Sequence, residues 1–163
     1  MIRPSVYTTI VRTLFGIVFA AGSVVHVRAA LTSPASYGPF GDTAWPPLDT
    51  LWAGFVMPNI GWLAFCMAMF EAAVGVTAWL PGRWNRLSVI GMTCFFAFLL
   101  VLGYAFPATS WAEDLLVNRV GSLVMIALVV PWLVHPQPLS VPGAWSALTR
   151  RARHRPTAGI DVP

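Results

Sequence analysis

One carboxylate, Glu71, stands inside the apolar run FCMAMFEAAVGVTAWL. A charge at that depth in a membrane-spanning helix costs at least a few kcal/mol, so it must be paired, protonated or wetted. Arg12, in IVRTLFG, is the natural partner. Counted at about 1.5 Å per residue, Arg12 lies roughly 8 Å and Glu71 roughly 13 Å from the same end of their spans, a gap that a guanidinium can close. The pair then reads in two ways: a salt bridge that locks the first two helices together, or a functional carboxylate that carries a proton or anchors a ligand. In a third reading Arg12 snorkels to headgroups and Glu71 stays neutral.

Other polar residues extend the question. Arg12, Phe15, Gly16, Phe19, Gly22, Ser23 and His26 recur at spacings of three and four, so they share one helical face. That face reads either as simple packing, since small residues let backbones approach, or as the wall of a pocket holding Arg12, Glu71, Ser23 and His26. A lone His26 reads as a hydrogen-bonded interface residue. No HxxxH or HExxH pattern accompanies it, so no metal site is expected. Towards the opposite end, Arg28, Asn59, Asn118 and Arg119 could form an outer polar cap. Glu113 and Asp114 lie six and five residues before Arg119, out of α-helical reach, so its partner is expected from another helix or from Asp42 or Asp49.

Familiar soluble chemistry is absent from the sequence. It contains no phosphate-binding glycine loop, no nucleophile elbow and no CxxC. The two cysteines, Cys66 and Cys94, fall at different depths by helical rise and read as separate buried structural thiols.

The elements that must hold these residues are membrane helices. Of the 163 residues 57% are hydrophobic and 10% charged, against about a quarter charged in soluble domains; the mean hydropathy is +0.70. Four runs reach the roughly 20 apolar residues a span needs, near 9–28, 59–80, 87–106 and 115–134. The fold expected is all-α: a four-transmembrane-helix up-down bundle over residues 1–135, with a basic, mobile tail over 136–163. In the first extracytoplasmic loop, 31–58, Pro47 opens and Pro58 closes a short interfacial helix over about 47–57, with Leu48, Leu51, Trp52 and Phe55 on one face. Ser110 to Glu113 matches a capping box, so the fourth helix should start near Trp111. Arg3, Arg12, Arg83, Arg86 and the tail arginines cluster on one side, and Asp42, Asp49, Glu113 and Asp114 on the other. Under the positive-inside rule both termini are cytoplasmic. The basic excess is therefore a topology signal with lipid as partner, and nucleic-acid binding is not expected.

Two stretches also resemble a known family. IVRTLFGIVFAAGSVVHV is similar to the opening helix of the DoxX-like membrane proteins, with an Arg, a Gly-x-x-Phe, a small residue and a polar one. MFEAAVGVTAWLPGRWNRL resembles that family's second helix, a Glu, a Gly four residues on, then a basic turn. The resemblance covers about Val11 to Val134 and implies a multi-pass protein of the bacterial plasma membrane, with Arg12 and Glu71 as the matching intramembrane pair. Some relatives are linked to thiol or quinone redox systems as membrane subunits. The first functional expectation is accordingly an accessory or scaffold subunit with a protein partner, or a homo-oligomer. The alternatives are a binder or enzyme for a quinone, lipid or other apolar ligand using Glu71, and a proton-coupled small exporter. No cofactor is required by the sequence, though a quinone or lipid is possible.

Overall fold

A computed structural model describes residues 5–133 and 139–153. Every described element is helical, and four helices are long and apolar enough to cross a membrane: Val6–Thr32, Leu48–Trp79, Arg83–Leu102 and Trp111–Trp132. The chain is a multi-pass, all-α membrane protein. The end of the fourth span at Val134, His135 and His154, and the tail beyond 153 lie outside the described residues.

Helix α1 (Val6–Thr32) is capped by Ser5, whose Oγ accepts from Thr8 N at 3.5 Å. Pro34 follows at the first position of a short 3-10 turn (Pro34–Tyr37). Two further short helices, α2 (Pro39–Thr43) and α3 (Leu48–Leu51), occupy the loop. The α3 segment does not stop at Pro58. It passes through a π turn (Trp52–Val56) and a 3-10 turn (Met57–Asn59) into α4 (Ile60–Trp79). A proline at the start of a turn loses no intrahelical bond, so the chain runs on through it.

Pro81 and Gly82 break the chain after α4, with Gly82 at φ 65°, and α5 (Arg83–Leu102) returns. It ends four residues sooner than its hydropathy implies. Gly103 sits at φ 89°, a left-handed stop, and Thr43 Oγ1 would lie 2.6 Å from any Cβ placed there. The fourth span begins at α6 (Trp111–Asp114), as its cap predicts: Ser110 Oγ accepts from Glu113 N at 3.2 Å. A π turn (Leu115–Arg119) then leads into α7 (Val120–Val129).

Helices α1 and α4 pack antiparallel and very close. A Cβ on Gly75 would stand 3.0 Å from Gly16 O and 3.1 Å from Ala20 N. The core between them and α5 is aromatic: Phe19 meets Phe95 edge-on at 5.3 Å, and Phe15 meets Phe96 at 5.8 Å. Trp132 closes this cluster at the far side. A second apolar cluster of Tyr37, Trp52, Ala64 and Leu102 lies under the loop.

Two expectations change. Cys66 and Cys94 are free, as expected, but exposed rather than buried. The tail is not structureless either: α8 (Val141–Arg153) forms, with Val141 and Ala144 buried. Val141, Ala144 and Leu148 fall at helical spacing, so even a polar segment has an apolar stripe to lay on the bundle.

Candidate functional site

The Arg12–Glu71 ion pair is not formed. Arg12 is fully buried, and its guanidinium donates to backbone carbonyls instead: Nε to Ala78 O at 3.0 Å, Nη2 to Leu80 O at 3.0 Å and Nη1 to Leu139 O at 2.9 Å. The reason is local. The last four carbonyls of a helix have no intrahelical partner, and the helix end carries partial negative charge. Arg12 faces that end of α4 and caps it. Asn85 assists, donating to Ala78 O at 3.1 Å and accepting from Trp132 Nε1 at 2.6 Å. Glu71 lies seven residues earlier on α4, about 10 Å away by helical rise.

Glu71 is 4% exposed and faces Gly22, where a Cβ would stand 2.8 Å from Oε2. Its ion-pair partner is His26: Nε2 lies 3.6 Å from Glu71 Oε1. Glu71 Oε2 is buried with no hydrogen-bond partner among the described residues. The other imidazole nitrogen, Nδ1, is 2.5 Å from the Tyr37 hydroxyl, and the two rings stack with centroids 5.6 Å apart. When Tyr37 donates to Nδ1, the ring proton resides on Nε2 and faces Glu71. Tyr37 itself comes from the loop, where Trp52 Nε1 donates to its carbonyl at 3.0 Å. Burial raises the Tyr37 hydroxyl above its ordinary pKa, and the negative charge of Glu71 adds to this. Ser23 does not join the cluster, for its Oγ donates to Ala20 O at 2.7 Å.

This Tyr37–His26 pair forms the polar end of a cavity of about 350 Å³. Trp52, Ala64, Phe98 and Leu99 wall it, and Tyr104 stands among its lining residues too. The volume falls at the lower end of those that hold small molecules, and an apolar wall with few polar groups is their usual character. Glu71 is not on the cavity wall; it backs His26 from between α1 and α4.

The expected outer polar cap resolves into parts. Asn118 and Arg119 come together, both fully buried. Arg119 Nε donates to Asp114 Oδ2 at 3.1 Å, Nη1 donates to Leu100 O and Val101 O at 2.9 Å, and Nη2 donates to Thr43 O. Its partner is thus Asp114, five residues back. The π turn over Leu115–Arg119 brings i and i+5 into line, which an α-helical count misses. Asn118 Oδ1 accepts from Tyr104 N and Phe106 N, both at 3.0 Å. Arg28 and Asn59 stand apart. Arg28 is exposed on α1, and Asn59 accepts from Trp62 Nε1 while donating to Phe55 O. With its donors consumed, Arg119 staples the loop to the ends of α5 and α6 and leaves no open cationic site.

Sequence reasoning missed Tyr37, Thr43 and Tyr104. Each lies in or beside irregular chain, where periodicity gives no register; the only available signal was a tyrosine between prolines. Among the described residues no group of three or more His, Cys, Asp or Glu side chains could hold a metal ion. Comparison with protein-family models, with curated proteins and with solved structures finds no match in any of the three.

Proposed function

We propose that this chain binds a small apolar molecule bearing a hydroxyl or carbonyl oxygen, in the cavity beneath its first loop. The observation that carries the reading is the Tyr37–His26–Glu71 chain at one end of an otherwise apolar cavity. It moves preference from the accessory-subunit reading to the ligand-binding one. A quinone, a sterol-like molecule or a lipid with a polar end has the required chemistry.

The ligand's apolar body lies along Trp52, Phe98 and Leu99, and its oxygen meets the Tyr37 hydroxyl. Where His26 Nδ1–H donates to Tyr37, the tyrosine O–H is free to donate to a carbonyl oxygen such as menadione's; where Tyr37 donates to Nδ1, the chain removes a proton from a ligand hydroxyl. That proton passes to Tyr37 Oη, the tyrosine proton to His26 Nδ1, and the Nε2 proton to Glu71, whose carboxylate keeps it. The 3.6 Å step from His26 to Glu71 must shorten for the last transfer. A buried carboxylate with one unpartnered oxygen suits such an acceptor, since protonation relieves its desolvation.

In this account the four spans cross a bacterial plasma membrane up and down, with the basic ends cytoplasmic and α3 at the outer interface. The arrangement of Arg residues supports that orientation, and the DoxX-like resemblance supports the setting. Arg12 takes a structural place in it and Glu71 the functional one.

The test is ligand-dependent melting in mild detergent with menadione as probe. Wild type should be stabilised, Glu71→Gln should fold but lose most of the shift, and Tyr37→Phe should lose part of it. An equal shift in all three proteins would remove the relay from the account.

A further inference from the structure

The end of the molecule opposite the cavity carries positive charge that no carboxylate among the described residues pairs. Arg83, Arg86 and Arg150 are exposed there, with Arg151 and Arg153 following in α8. The described carboxylates lie elsewhere: Asp42, Asp49, Glu113 and Asp114 stand at the loop end, and Glu71 is midway along α4. Both ion pairs found among the described residues, His26–Glu71 and Arg119–Asp114, are remote from this surface.

Helix α8 is held against this end rather than trailing from it. Arg12 Nη1 donates to Leu139 O at 2.9 Å, Trp145 Nε1 donates to Thr13 Oγ1 at 3.0 Å, and Ala144 is fully buried. Three tryptophans ring the same end and remain partly exposed: Trp79 at 39%, Trp84 at 44% and Trp145 at 39%. The Arg83 guanidinium lies 5.0 Å from the centroid of the Trp84 ring. Tryptophan prefers the headgroup level, where its ring is apolar and its N–H is wet. An amphipathic helix with its apolar stripe on the bundle and an exposed arginine, Arg150, on its outer side lies in the plane that phosphates occupy.

We infer that α8 and the α4–α5 turn together form a docking surface for anionic lipid headgroups. The inference needs only that the spans cross a membrane; it is independent of what fills the cavity. Its basis is charge complementarity. The exposed guanidinium groups of Arg83, Arg86 and Arg150, which make no ion pair among the described residues, can meet phosphates at headgroup level with bidentate geometry.

The full chain in nanodiscs tests this, with amide hydrogen exchange of α8 as the readout. Discs of phosphatidylcholine alone are compared with discs that also contain phosphatidylglycerol. Exchange should slow at least about fivefold in the anionic discs at about 0.1 M salt, and the difference should vanish at about 1 M, where the screening length falls to about 3 Å. Replacing Arg150, Arg151 and Arg153 together by Ala should abolish the lipid dependence while leaving the melting temperature of the bundle unchanged. The corresponding triple Lys variant should keep it, since charge and not shape carries the effect. Equal exchange in both discs, or lipid dependence that survives the triple Ala change, overturns the inference.

Discussion

Arg12 is a buried cation whose partners are carbonyl oxygens, Ala78 O, Leu80 O and Leu139 O. The arrangement works because Ala78 O and Leu80 O sit at the end of α4, where the backbone has acceptors to spare and a partial negative charge; Leu139 O lies in the turn before α8. Removing the guanidinium strands Leu80 O and Leu139 O, while Ala78 O keeps its bond from Asn85 Nδ2. With about 1 kcal/mol for each of these two part-buried acceptors, Arg12→Ala should cost about 2 kcal/mol. It should also release α8, so trypsin should cut at Arg150 faster than in wild type. Arg12→Lys should recover less than half of the loss, because one ammonium cannot reach three diverging carbonyls. Denaturant unfolding in mild detergent measures both. Arg12 and Glu71 are both buried; that they need partners inside the protein was legible in the sequence, since each is a charge in an apolar run. Their partners were not. A guanidinium reaches either way along a neighbouring helix, and residue counting fixes depth only to within about a turn, so the choice between Glu71 and the end of α4 lay below that resolution.

Elements explain why the functional groups stay where they are. The closeness of α1 and α4 places Glu71 beside His26, and Gly75 permits it. Gly75→Ala would push a Cβ onto Gly16 O and Ala20 N, backbone atoms that move only with their helix. A loss of about 1–3 kcal/mol follows. Gly61→Ala, in the same helix with nothing within 4 Å of the added Cβ, should be neutral or slightly stabilising. Thermal melts of the two variants side by side give the comparison. At the other end, the π turn over Leu115–Arg119 aligns Arg119 with Asp114 and directs its Nη atoms to the loop. Arg119→Leu leaves Asp114 without its cation and frees the Thr43 carbonyl, so it should destabilise by about 3 kcal/mol or more. Hydrogen exchange in α2 should quicken in the same variant. Helix existence was legible here, from hydropathy and from the Ser110 cap. The π turns were not, because no period of 3.6 announces an inserted residue.

On the scale of the whole molecule, four apolar helices and their charge asymmetry were readable directly from composition and spacing. The cavity was not. It arises where the loop folds back, with Tyr37 held by Trp52 and the chain after α5 held by Asn118 and Thr43. A segment rich in proline and glycine carries no periodic face, so its tertiary partners cannot be deduced from pattern alone. The molecule thus has a stapled polar end around Arg119, an apolar cavity beneath the loop, and a capped end around Arg12. The cavity combines empty volume with the Tyr37–His26 pair, which leads to the buried Glu71 carboxylate.

Binding in that cavity is the claim on which the rest depends, and occlusion tests it most directly. Ala64 is buried on the cavity wall, remote in sequence from the Tyr37–His26 pair and close to Trp52 in the same cluster. Ala64→Leu fills space without touching a polar group. Menadione at about one hundred times its dissociation constant should stabilise wild type by about 2.7 kcal/mol. The account predicts that Ala64→Leu folds, melts near the wild-type temperature without ligand, and shows little or no shift when menadione is added. A full shift in the occluded variant would contradict it, because the probe would then be binding elsewhere.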